Sequence, residues 1–281
     1  MQLGADIADK QTLEARNRKA AISARGQALR LAATAKVPAA TLTEALERKL
    51  RETGRFQLHR NCNVKSLARS SANSRVLGWE LETSEGSHEA DQVLLALPAG
   101  VSSQLLRQLN SQIACEIGEI RCRSTATVNL VWPKNQMKDL PQSQGILAPL
   151  ASSNKLSACT FSNQKFPMRS DGQFNILKVH LGGAGREAIL DFNDEQLVEC
   201  ATAELSPHLG LRGLPAKTWV RRHHYKMPEY RIGHDRIVSN VKEALLEIGG
   251  LEVTGNWLNG VGISDCITQA RAAIHSLAAK N

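Results

Sequence analysis

The sequence predicts an α+β fold, a sheet with helices to one side, on three observations. Asp91-Gln-Val-Leu-Leu-Ala-Leu97 is a continuous apolar run ended by Pro98, as expected for a strand buried on both faces. Between about Gly100 and Leu246, strand patterns such as 125–132 and 174–181 alternate with helical patterns such as 194–205. The chain then closes on a short apolar strand, a glycine-spaced turn and an alanine-rich amphipathic helix. At 281 residues and 42% hydrophobic, it can bury one large core or two ordinary ones.

Residues 1 to about 50 read as helix, rich in Ala, Leu, Glu, Lys and Arg, with Pro38 as internal punctuation. Thr41 is the expected N-cap of a helix over 42–50, in a Thr-x-x-Glu capping box closed by Glu44. An antiparallel meander is expected next: Phe56–Arg60, Val64–Leu67, a polar turn over 70–74, and Val76–Leu81. Thr125–Trp132 and Phe174–Leu181 read as strands and Asp194–Leu205 as a helix. The closing segment pairs a strand near Leu251 with a helix opened by Ser264 and Asp265.

Composition narrows the classes of function. No run approaches the ~18 apolar residues of a membrane span, and Met-Gln-Leu-Gly-Ala-Asp is not the start of a signal peptide. Cytoplasmic residence is the default expectation, with peripheral association at the inner membrane as a compatible variant. The formal charge of +8 is spread along the chain; only Arg16–Lys19 and Arg221–His224 are locally basic, and aromatics make up 4%. That argues against nucleic acid as a partner. The six cysteines form no Cys-x-x-Cys pair and have no histidines at ligand spacing, so buried thiols are expected and no metal site.

The turn Gly260-Val261-Gly262 has the make-up of an anion or cofactor cradle. Glycines let the backbone approach a ligand, and a helix start offers unpaired N–H groups with partial positive charge.

The fuller string is more specific: Gly255-Asn256, Gly260-Val261-Gly262-Ile263, Asp265-Cys266-Ile267 and Arg271-Ala272-Ala273. Upstream, in order, stand Ala96-Leu97-Pro98-Ala99, Cys159-Thr160-Phe161-Ser162 with Lys165-Phe166-Pro167, Leu181-Gly182-Gly183, and Met227-Pro228-Glu229-Tyr230 with Gly233-His234. Together they resemble the protoporphyrinogen oxidase family of FAD-dependent, amine-oxidase-like flavoproteins, from about Thr41 to the end. The resemblance implies an incomplete FAD/NAD(P)-binding-like cofactor domain with an inserted mixed-sheet substrate domain. In these terms 1–40 is a helical segment, 41–100 part of the cofactor domain, 101–247 the substrate-binding domain and 248–281 the FAD-contacting segment.

The resemblance further implies FAD as cofactor and oxidation of protoporphyrinogen IX or coproporphyrinogen III to the porphyrin in haem biosynthesis, with oxygen as acceptor. Hydride leaves a methylene bridge for the flavin, and protein groups position the substrate and pair its propionates with cations. Val64 would meet the adenine, and Gly255, Asn256, Gly260, Val261, Gly262 and Ile263 the flavin ring. Phe161, Phe166 and Leu181 are the expected cleft residues, and no catalytic side chain is assigned. Asp265 is expected to cap the helix rather than act as a base, and His234 to be structural. His223 and His224 stand where the family usually has tryptophan, and Lys226 where it has alanine. The family's opening Gly-x-Gly-x-x-Gly turn, followed by an acidic residue about 20 positions on, does not occur in these 281 residues. The chain therefore reads as a fragment, a split gene product needing an N-terminal FAD-binding portion or subunit, or a paralogue that binds porphyrin without catalysis.

Overall fold

The computed structural model describes residues 39–70, 78–149, 154–167 and 172–279. The chain divides into two compact units, Met1–Ala96 with Ile248–Asn281, and Leu97–Glu247. The helix expected over residues 1–38 lies outside the described residues, as does the polar turn at 71–74.

In the first unit, α1 (Ala39–Glu52) starts before Thr41, which therefore lies inside the helix and not at its N-cap. Leu42, Leu46 and Leu50 recur every fourth residue, so they share one face, and all three are exposed. Strands β1 (Val64–Arg69), β2 (Trp79–Thr83) and β3 (Gly86–Ala90) form an antiparallel sheet in that order. The strand expected at Phe56–Arg60 is absent: the stretch is irregular and runs into Asn61, whose φ of 60° breaks extension.

β4 (Val93–Leu95) lies within the expected apolar run and pairs in parallel with β10 (Leu251–Val253). Every residue of β10 is buried. Arg69 ties this region together: it donates to the carbonyls of Ile248 and Gly249, and its guanidinium lies 4.0 Å from the centre of the Trp79 ring. Burial pulls the Arg69 pKa below its ordinary value. The closing helix, α7 (Ile263–Ala278), buries Ala273 and Leu277 and leaves Ile263, Ile267 and Ile274 exposed.

The second unit begins with α2 (Ala99–Leu106) and α3 (Ser111–Gly118), linked by Ser103 donating to the Ala114 carbonyl at 2.6 Å. Asn110 caps α3 by accepting from the Ile113 N–H. A five-stranded sheet follows. In chain order it comprises β5 (Cys122–Pro133), β6 (Gly145–Leu147), β7 (Leu156–Phe161), β8 (Phe174–Gly182) and β9 (Lys217–Pro228). In space the order is β6-β7-β8-β5-β9. Every pairing is antiparallel, so the sheet expected to be mixed has one sense only. β6, β7 and β8 follow one another by reversals of the chain, whereas β8 and β9, which run the same way on either side of β5, are connected through a helix.

Alternation along the strands gives the sheet two unlike faces. Ala126, Val128, Leu130 and Trp132 of β5 join Leu177, Val179 and Leu181 of β8, all essentially inaccessible to solvent. They pack against Leu197, Ala201, Leu205 and Leu209 of α5 (Asp194–Leu209). Asn193 and Gln196 form a capping box at the start of α5, and Gly210 ends it with φ 54°. The unit closes with the short α4 (Ser162–Lys165) after β7 and with α6 (His234–Ile248) leading out of it.

Candidate functional site

The glycine-spaced turn follows β10 and is anchored from within. Trp257 and Leu258 are buried, while Gly255, Asn256, Gly260 and Gly262 are half-buried and Val261 and Ile263 exposed. Asp265 folds back so that its carboxylate accepts from the Gly262 N–H at 3.2 Å. Gln269 straps the turn from the next helical level, accepting from the Asn259 N–H and donating to the Gly260 carbonyl. Gly260 has φ 115°, and a Cβ there would lie 2.6 Å from the Asp265 carboxylate. The glycine is thus required by the helix cap itself. Beyond the cap, the first N–H groups of α7, at Ile263 and Ser264, have no partner within the helix and carry the positive end of its dipole. This end of the turn can receive a group that is flat, partly apolar and electron-rich.

Val64 opens β1, an edge strand of the same unit. Its neighbour Asn63 exchanges two hydrogen bonds with Ser84 at 2.9 Å, which fixes the strand's entry. In the other unit, Phe161 and Leu181 are fully buried on the α5 side of the sheet. They belong to the core rather than to an open cleft, because alternation turns them toward the helix. Phe166 is half-buried at the end of α4.

His234 is buried and stacks on Tyr230, with ring centroids 4.4 Å apart. Glu229 accepts from Arg123 and Arg231. Burial raises the pKa of Glu229, but those two hydrogen bonds outweigh it and hold the carboxyl below its ordinary value. Cys159 is buried, which pushes its thiol up to about 12; Cys115 is exposed. Among the described residues no three potential ligands cluster to hold a metal ion.

The face of the five-stranded sheet opposite α5 brings residues named in the sequence, Thr160, Arg221 and His223, together with others that were not. His180 on β8 lies directly across from Thr127 on β5, and Thr127 from Arg221 on β9. One register step on, Lys178, Asn129 and Trp219 form a second row, with Thr160 of β7 across from Lys178. Thr127 and His223 meet at 3.3 Å. Burial, with Lys178 nearby, lowers the pKa of both His180 and His223. Alternation in β5 and β8 is legible in the sequence, but β9 has no apolar period to mark it as their neighbour. A groove of about 510 Å³ runs between the start of α5 and β9, lined by Asp194, Glu195 and Glu199, and none of the expected site residues borders it.

A family model described as flavin containing amine oxidoreductase matches residues 8–273. Coproporphyrinogen III oxidase of Bacillus subtilis (strain 168) is 28% identical over 236 residues, covering 83% of this chain and 48% of that protein. Coproporphyrinogen III oxidase of Propionibacterium freudenreichii subsp. freudenreichii is 33% identical over 183 residues, covering 65% of this chain and 34% of that protein. A crystal structure described as that of a protoporphyrinogen oxidase from Exiguobacterium sp. 255-15 superposes with a TM-score of 0.71 at 24% identity, over 85% of this chain and 51% of that one. The chain spans about a third to a half of the length of these proteins.

Proposed function

The chain belongs to the flavin-containing amine oxidoreductase family, and from that premise we propose that it supplies the flavin-ring and substrate portions of a porphyrinogen oxidase of haem biosynthesis. The substrate is coproporphyrinogen III or protoporphyrinogen IX, and oxygen is the final electron acceptor. The observation that carries this reading is the strapped turn from Gly255 to Ile263 at the start of α7, in a chain whose relatives bear those names.

FAD is the implied cofactor, and the residues present fit the ring end of it. Exposed Val261 and Ile263 offer apolar surface, and the first N–H groups of α7 face developing negative charge. Asp265 is held by the Gly262 N–H as part of the helix cap and takes no proton in the reaction. When bound, the flavin supplies the two-electron acceptor for hydride from the porphyrinogen. Val64 is the proposed contact for the adenine. The pyrophosphate contacts come from a complementary N-terminal portion, in the same polypeptide or a second one. That requirement is supported by surfaces a larger fold would cover. The parallel sheet has two strands only among the described residues, although such sheets are normally covered on both faces. Leu42, Leu46 and Leu50 on α1 and Ile263, Ile267 and Ile274 on α7 are exposed.

A second reading, porphyrin binding without oxidation, is favoured by the lack of a Gly-x-Gly-x-x-Gly turn in the sequence. Charge-assisted phosphate contacts contribute about 1.5–3 kcal/mol each, so the 281-residue polypeptide alone should purify colourless and inactive. Co-expression with the reading frame upstream of Met1 should give flavin absorbance and anaerobic flavin reduction by porphyrinogen. Yellow protein from the chain alone would refute the need for a complementary portion. Porphyrin binding with no flavin in either preparation would establish the second reading.

A further inference from the structure

The five strands of the large sheet contain no aspartate or glutamate, although they span Cys122–Pro133, Gly145–Leu147, Leu156–Phe161, Phe174–Gly182 and Lys217–Pro228. Apart from Lys226, near Cys122, the cations on these strands fall into two groups. Arg123 and Arg222 are ion-paired with Glu187, Glu229 and Asp194. Lys178 and Arg221 lie on the open face and have no carboxylate partner among the described residues. Lys217 lies at its edge over the Trp219 ring, 4.9 Å from its centroid. His180 and His223 stand between these cations, and Thr127, Asn129 and Thr160 supply neutral hydrogen-bonding groups in the same rows.

A face so built repels cations and leaves paired-charge positions open for carboxylates. Trp219, half exposed, gives it an aromatic border. Nucleic acid fits it poorly, because one tryptophan is not a stacking platform. We propose that the open face of the sheet is a docking surface for the carboxylates of a planar tetrapyrrole, with Lys178 and Arg221 as its charge-pairing residues. The inference rests on the porphyrinogen reading above and adds selectivity. A macrocycle with four propionates engages both cations from more orientations than one with two propionates and two vinyl groups. The chain therefore prefers the coproporphyrin series to the protoporphyrin series. Each ion pair formed on a half-open sheet is screened by salt, so the preference weakens as salt is added.

The test titrates the 281-residue chain with coproporphyrin III and with protoporphyrin IX, reading tryptophan quenching at low and high salt. Coproporphyrin should bind about tenfold tighter at low salt, with the gap closing at high salt. Lys178→Gln and Arg221→Gln should each weaken coproporphyrin about tenfold and protoporphyrin by a smaller factor, while Lys178→Arg restores wild-type binding. Lys242→Gln, on the exposed side of α6, controls for net charge. Equal affinity for the two porphyrins, or equal losses in Lys242→Gln and Lys178→Gln, would overturn the proposal. So would competition by inorganic polyphosphate as strong as by coproporphyrin, which would mark a general anion face. Porphyrinogen oxidation by the flavin-loaded protein without such discrimination leaves the oxidase reading standing and removes this one. Discrimination without oxidation does the reverse.

Discussion

The carboxylate of Asp265 sits where the side chain of any larger residue at 260 would start, so the glycine answers first to its own neighbour in the chain. Gly260→Ala must displace that carboxylate and hold alanine at positive φ, at a cost of about 1–3 kcal/mol. Asp265→Ala removes the cap and should cost about 0.5–2 kcal/mol. In the double variant the clash has gone, so the two losses should sum to less than their total in urea unfolding. Strict additivity would show that Gly260 is required only for its φ. The sequence made the glycine spacing and the capping role of Asp265 legible; it hid the strap by Gln269, because side-chain reach across two helical turns leaves no periodic trace. A second consequence concerns His180 and His223, held below the ordinary histidine pKa by burial and by neighbouring Lys178, with Lys165 beside His180 and Arg221 beside His223. Below about pH 6.5 the unfolded chain takes up protons that the folded one refuses. The contribution of these two histidines to stability should therefore be constant above that pH and be lost as pH drops through the folded values. His180→Gln should flatten that fall, and an unchanged slope would contradict the assignment.

Strands with clean apolar character were legible: Thr125–Trp132 and Phe174–Leu181 became the centre of the sheet, and Asp194–Leu205 the helix beneath it. β9 was not, since Arg221-Arg222-His223-His224 interrupts any apolar alternation, leaving no hydrophobic rhythm to read. Phe56–Arg60 failed the other way: its alternation suited a strand, but no neighbouring strand takes up its hydrogen bonds. The packed face depends on α5, and two substitutions gauge it. Leu205→Ala opens a void at a fully buried position and should cost about 2–5 kcal/mol. Asn193→Ala removes half of the capping box and should cost about 1 kcal/mol. Both are read as shifts in the urea midpoint at constant slope. A Leu205→Ala loss no larger than that of Asn193→Ala would mean that the helix is not seated on the sheet.

At the scale of the whole chain, the surplus of eight positive charges is unevenly used. Acids gather on helices such as α5, while the five strands of the large sheet carry none, so one face of that sheet keeps its field unneutralised. The family and the flavin-facing end were legible from ordered short motifs; the docking face was not, because it exists only once β8, β5 and β9 lie side by side. The pairing of β4 with β10 bears on how the molecule is made. Val93 and Leu251, partners in register, stand 158 positions apart. During synthesis, the first unit has to wait with apolar side chains uncovered until nearly the whole polypeptide has left the ribosome. The intervening residues can complete their antiparallel sheet in the meantime, because their contacts are closer in sequence. In refolding, pulse-labelled amides of β5 and β8 should gain protection before those of β4 and β10. The reverse order would show that the long loop closes first.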